Sequence, residues 1–129
     1  MLSSPEFGCS VTYNPAIPCV VMEWRGYATS VLFREANERV LAAIAERRAS
    51  RLLGDVTDFV LIGAEDQAWL NENWLPRAIA AGLRRCAIVQ PQYYFNRVAV
   101  EAVAKKINPE RLEVGFFADQ ETAIEWLAG

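Results

Sequence analysis

Apolar runs that lead into helical stretches recur along this chain at nearly regular intervals. Cys19–Trp24, Arg51–Val56 and Cys86–Val89 each precede a segment of helical period, and Leu112–Phe117 runs into a closing helix, Asp119–Ala128. Strand and helix in alternation wind right-handedly around a parallel sheet, because a right-twisted strand feeding a helix packs back on its sheet only in that hand. The N-terminal stretch adds a fifth strand. Phe7, Cys9, Val11 and Tyr13 alternate with Gly8, Ser10, Thr12 and Asn14, the period of a half-exposed edge strand. Asn14-Pro15-Ala16-Ile17-Pro18 is a turn, since proline fixes φ and donates no ladder bond. Cys19–Trp24 then returns as the antiparallel partner. The expected fold is α/β: a four-turn right-handed βα superhelix on a mixed, mostly parallel five-stranded sheet, opened by a β-hairpin.

The helices can be read from period and caps. Thr29 or Ser30 can cap the first, and Phe33, Ala36, Val40 and Ile44 form its apolar face. Its charges Glu35/Arg39 and Arg34/Glu38 stand four apart, as solvated surface pairs do. Asp55-Val56-Thr57-Asp58 reads as the segment leaving the third strand. Glu65 and Asp66 open the next helix, complementing the positive end of its dipole. Pro76 cannot sit mid-helix without removing a bond, so two pieces should meet near Leu75. Gly82 is placed to end the second piece in a left-handed cap. The helix Tyr93–Ile107 is apolar around most of its circumference, with Arg97, Glu101 and Lys105 as its charged stripe. Such a helix should be covered on more than one side, with Val98 buried.

Composition bounds the class. With 129 residues the chain reads as one domain, residues 1–129, large enough to bury about two-thirds of its unfolded surface. Hydrophobic residues make up 53% and charged residues 22%, far from a disordered composition. Net charge is −3, without a basic stripe, which argues against a nucleic-acid partner. Cys9, Cys19 and Cys86 have neither disulfide nor zinc spacing and stand in apolar strands, where a thiol behaves as a small hydrophobe. The opening Met-Leu-Ser-Ser-Pro-Glu-Phe lacks the basic and apolar regions of a secretory signal. No run reaches the roughly 18 apolar residues of a membrane span. A reducing, cytoplasmic setting is the expectation.

The chemistry available is narrow. Without histidine there is no Ser–His or Cys–His nucleophile, and no serine follows Ser50. The lysines are Lys105 and Lys106 alone, on a charged helix end. No cofactor, metal or catalytic set is expected. Asp55, Thr57 and Asp58 stand where open α/β sheets place ligands, at the carboxyl end of a central strand, so one reading is a polar pocket there. The other is ordinary turn and cap chemistry. Trp69 and Trp74 lie on different flanks of one helix, and Tyr93-Tyr94-Phe95 open the next. Three consecutive aromatics cannot share one core, so at least one is exposed; core packing is expected for Phe95 and the tryptophans. Arg84-Arg85 reads as a solvated strand start, with anion binding as its alternative.

Leu52-Leu53-Gly54-Asp55-Val56-Thr57 resembles the Asp-x-Ser/Thr strand end of STAS domains, the anti-sigma-factor-antagonist fold. Gly82-Leu83-Arg84-Arg85-Cys86-Ala87-Ile88-Val89 and the closing stretch from Phe117 to Leu127 look like the same group. The chain is similar, from Val20 to Leu127, to the small bacterial STAS-like (SpoIIAA-like) proteins, related in fold to CRAL-TRIO lipid-transfer domains. That resemblance implies the superhelix with its hairpin, and, in regulatory members, a phosphorylatable serine ahead of the second helix. Here the stretch is Ile62-Gly63-Ala64-Glu65, without a hydroxyl.

Two functions follow as expectations. One is a non-enzymatic interaction module that docks a protein partner or a second copy of itself. The other is a pocket for an apolar or amphipathic, lipid-like molecule, as the CRAL-TRIO likeness implies, bordered by Trp24, Trp69, Trp74, Tyr93 and Tyr94. A homodimer is expected through an apolar surface that includes some of Trp69, Trp74, Tyr93 and Tyr94. A closed apolar cavity would favour the ligand, and an exposed apolar face the partner.

Overall fold

The computed structural model describes residues 8–59, 63–92 and 94–129. β1 (Gly8–Asn14) and β2 (Cys19–Gly26) form an antiparallel hairpin. β3 (Arg51–Phe59), β4 (Arg85–Val89) and β5 (Glu113–Phe117) then add in parallel, so spatial order equals chain order. Helix α1 (Ser30–Arg47) follows β2. After β3 come α2 (Ala64–Trp69), a π turn (Leu70–Trp74) and α3 (Leu75–Ala80). α4 (Tyr94–Ala104) follows β4, and α5 (Gln120–Ala128) follows β5. Each crossover advances one strand in the same direction, so right-handed winding lays α1, α2–α3 and α4 on one face of the sheet. α5 covers the other face, where Ala123 and Leu127 pack on Cys19, Leu53, Ala87 and Val89. This is the α/β superhelix expected from the sequence. Phe7 lies outside the described residues.

Local chemistry sets the boundaries. Thr29 caps α1, its hydroxyl accepting from the Leu32 N–H at 3.3 Å, while Ser30 reaches elsewhere. Phe33, Ala36, Val40 and Ile44 are all buried. The charges of α1 do not pair along the helix. Arg34 binds Asp66, Glu38 binds Arg77 and Arg39 donates to the Cys9 carbonyl, so they fasten α1 to α2, α3 and β1. Asp119 caps α5, accepting from the Thr122 N–H at 2.8 Å. Gly82 sits at φ +119° after α3, as the turn out of that helix requires.

Two irregularities shape the first face. Proline at 76 has no N–H to give Glu72, and the helix before it is one residue wider: the Leu75 N–H reaches the Leu70 carbonyl. The two helical pieces thus meet where Pro76 requires, joined by a π turn. In β3, Glu23 pairs with Asp55 but Arg25 pairs with Asp58, so Val56 and Thr57 together oppose Trp24 in a bulge. Asp55–Asp58 is therefore inside the strand rather than a segment leaving it. The extra residue resets the alternation, and Val56 and Phe59, three apart, are buried on the same face beside Trp24 and Phe33.

α4 departs from the sequence reading. Only Asn96 and Ala99 of this helix are buried. Tyr94, Phe95 and Val98 are 64%, 74% and 44% exposed. α4 lies over the last strands of the sheet, at the end of the row of helices, and none of the described residues covers its outer side. Val98→Asp should therefore cost within about 0.5 kcal/mol, as surface substitutions do. A fall several times larger in a denaturant titration would contradict this placement.

Candidate functional site

α4 is the roof of a cavity. Its inner face, with Asn96, Ala99, Val100, Val103 and Ile107 just beyond, stands above Met22, Leu52, Cys86, Ile88 and Val114 of the sheet. Its volume is about 120 Å³. Trp24, Phe33 and Phe59 form one end wall, with ring centroids 5.4 Å apart for Trp24–Phe33 and 4.7 Å for Trp24–Phe59. Trp74 closes the side, delivered there by the π turn. Gly54 lies beneath, where a Cβ would meet the Met22 methyl at 2.8 Å, so the missing side chain lets Met22 and Ile88 close over the strand.

The polar groups of the lining are occupied. Asn37 Nδ2 donates to the Phe33 carbonyl at 2.9 Å, and the Asn37 carbonyl accepts from Trp74 Nε1 at 2.6 Å. Asn96 Nδ2 donates to the Phe59 carbonyl at 2.9 Å, tying the first turn of α4 to the end of β3. Gln90 Nε2 donates to Glu101 Oε2 at 2.9 Å, a second tie. Between these two ties α4 rests on side chains above empty space. The cavity is lined almost wholly by carbon, and among the described residues no charged side chain lines it.

The candidate residues of the sequence do not gather in one place. Asp55 and Thr57 point to the opposite face, under α5. The Asp55 carboxylate accepts from the Thr57 N–H at 3.0 Å, from the Thr57 hydroxyl at 2.6 Å and from Gln120 Nε2 at 2.6 Å. Gln120 Nε2 also donates to Glu23 Oε2 at 3.0 Å, bridging two carboxylates that are register partners on β2 and β3. Asp58 is exposed beside Arg25. Strand alternation turns Asp55 and Thr57 away from the face of β3 that lines the cavity, and among the described residues Asp55 is held in internal bonds. Trp74, buried at 3% exposure, cannot contribute to a surface interface as expected, but it does line the cavity. Trp69 is half-buried, packing edge-on to Phe33 at 6.3 Å with the Arg34 guanidinium 5.3 Å from its ring centre. Tyr94 lies on the outer face of α4, and Tyr93 is outside the described residues. Phe95, expected in the core, is exposed.

Other charged groups serve the scaffold. Asp66 is buried, accepting from Ser30 Oγ at 2.8 Å and pairing with Arg34 Nε at 3.1 Å. Arg84 donates to the Ile79 and Leu83 carbonyls, while Arg85 pairs with Glu113 and covers the Trp126 ring, so neither presents an anion site. Burial pushes the Cys86 thiol up to about 12 and Cys9 to about 11, and raises Cys19, as expected for core thiols. Among the described residues no cluster of His, Cys, Asp or Glu could hold a metal, and no helix is long and apolar enough to cross a membrane. The sequence reading missed Phe59, Asn96 and Gln120. Only Asn96 carried a signal: an amide inside an otherwise apolar helix face.

An N-terminal hairpin, four βα turns and a single helix on the second face define a STAS-like α/β domain. A comparison with protein families matches residues 19–128 to the SpoIIAA-like family, and the chain belongs to that family. Among solved structures it is similar to an uncharacterised protein of the DUF3478 family with a SpoIIAA-like fold from Shewanella loihica PV-4, 23% identical with a TM-score of 0.62. That match covers 98% of this chain and 99% of the other, and it shows the shared fold. No curated protein matches the chain.

Proposed function

We propose that this chain is a non-enzymatic binding module that holds an apolar small molecule between α4 and the sheet. The observation that carries this reading is the cavity of about 120 Å³ with aromatic walls and, among the described residues, no charged lining. An engineered apolar cavity of roughly 150 Å³ in another protein stays dry and takes up benzene, so the volume here suits a small ring or short chain. The non-enzymatic part is supported by the chain's lack of histidine and by the internal bonds that occupy Asp55. A regulatory phosphate has no acceptor from Asp58 to Asp66, where the sequence has no hydroxyl. Thr57 holds its own hydroxyl against the Asp55 carboxylate, next to Glu23.

The test is thermal unfolding with and without saturating indole or toluene. Binding to the folded state alone at 100 times Kd stabilises by about 2.7 kcal/mol, a rise of several degrees. Ala99→Phe, which fills the cavity from the roof, should fold and lose that rise. An unchanged Tm in the original chain, or an equal rise in the filled variant, would sink the proposal.

A second reading is favoured by the exposed Tyr94, Phe95 and Val98 on the outer side of α4: docking of a protein partner or a second copy there. Sedimentation equilibrium at micromolar protein separates the homodimer from the alternative, since a mass holding at 14.5 kDa across the concentration range would end it.

A further inference from the structure

We propose that the natural ligand is a short single-chain amphiphile with an anionic head, its tail under α4 and its head at Lys105. This rests on the cavity reading above and adds the ligand's class and orientation. The cavity is not sealed at the carboxyl end of α4. A wider, more open groove of about 460 Å³ begins there, lined by Glu101, Lys105 and Pro109 on its outer side. It shares Ala104, Ile107, Leu112, Val114 and Phe116 with the cavity. Floor and roof thus run continuously from a carbon-lined interior to a rim with charged groups. Among the described residues β5 is the edge strand of the sheet, so this mouth faces outward with no further described strand to close it.

The rim selects the sign of the head. Lys105 makes no ion pair among the described residues, and its ammonium is exposed. Glu101, one turn earlier, is bound to Gln90, which leads away from β4 toward α4. The surrounding segment is basic against the rest of the chain. Residues 94–111 hold Arg97, Lys105, Lys106 and Arg111 against Glu101 and Glu110, a net +2. The remaining residues hold nine basic and fourteen acidic groups, a net −5. An anionic head therefore finds the Lys105 ammonium at the mouth, while the apolar interior admits only the tail. From Asn96 to Ala104 the helical roof is about 12 Å long at 1.5 Å per residue, which caps the tail at medium length.

Octanoate, octan-1-ol and octyltrimethylammonium share a tail and differ in the head. Their binding can be followed through the fluorescence of Trp24 and Trp74 in the cavity wall. Octanoate should bind more tightly than the alcohol, and the ammonium more weakly than both. Lys105→Glu, at an exposed position, should fold normally and weaken octanoate by about four- to twenty-five-fold, leaving octanol unchanged; a partly exposed pair gives about two- to fivefold, and reversal of the charge doubles the free energy and so squares that ratio. Equal affinity for octanoate and octanol would overturn the head-group assignment while the cavity reading stood. Tighter octanoate binding that survived Lys105→Glu would overturn it as well, placing the head elsewhere. No fluorescence change with any of the three, and no Tm rise with indole, would take down the cavity reading and this inference together.

Discussion

Trp74→Ala should lower folding stability by about 3–5 kcal/mol, the cost of truncating a large buried aromatic. Trp74 is 3% exposed, packs with Val40, Ile44 and Leu83 in the main core, and forms one side of the cavity. Removing it joins a new void to an existing one, so little can collapse to fill the space. Against a total of roughly 5–15 kcal/mol for a domain of this kind, the loss brings the chain close to unfolding. Trp74→Phe separates the ring from its N–H. That variant keeps most of the packing but loses the 2.6 Å bond to the Asn37 carbonyl, at about 1 kcal/mol. Trp69→Ala, at a half-buried site, should cost clearly less than Trp74→Ala. Urea titration of the three variants gives the order, and equal losses at 69 and 74 would contradict the structure.

The second large effect appears in alkaline solution. Burial holds the Cys86 thiol protonated up to about 12, while an unburied thiol ionises near 9.0. Below pH 9 both folded and unfolded chains keep the proton, and the thiol's contribution to stability is fully present. Above pH 9 the unfolded chain releases it and the folded chain does not. Stability must then fall as pH rises, by about 1 kcal/mol per unit, until the folded thiol also ionises near pH 12. Cys9 adds a similar slope that ends near pH 11, opposed in part by the Arg39 charge. Cys86→Ala loses packing at every pH but should remove its share of the slope. Denaturant midpoints from pH 8 to pH 10.5 would show the two curves converging, and parallel curves would sink the prediction.

The elements were legible because each rests on local chemistry: alternation in β1, the Thr29 and Asp119 caps, the Pro76 interruption, and the period of Phe33, Ala36, Val40 and Ile44. The site was not, for two physical reasons. Strand parity decides which side a residue faces, and the bulge at Val56–Thr57 changes parity without any glycine or proline to mark it. Val56 and Phe59, three apart, therefore share the cavity face, while Asp55, ahead of the bulge, stays on the α5 side with Leu53. The second reason is position in the row of helices. α4 has an apolar outer side in sequence, but coverage depends on a neighbour, and the last crossover helix has none beyond it among the described residues. Periodicity reports that Phe95 and Val98 are apolar; it carries nothing about what lies next to them.

The bulge in β3 and the π turn before α3 have one consequence in common. Each is a phase slip of a single residue in an otherwise periodic element, and each delivers one aromatic wall of the cavity, Phe59 in the first case and Trp74 in the second. The hollow beneath α4 is thus written in the spacing of the chain as much as in its composition. Deleting Thr57, or one residue of Leu70–Asn73, would restore a regular strand or helix while rotating its ring out of the wall. Shape at this site is set by residue count, and a relative of equal composition but one residue shorter at either point would carry the same fold around a different interior.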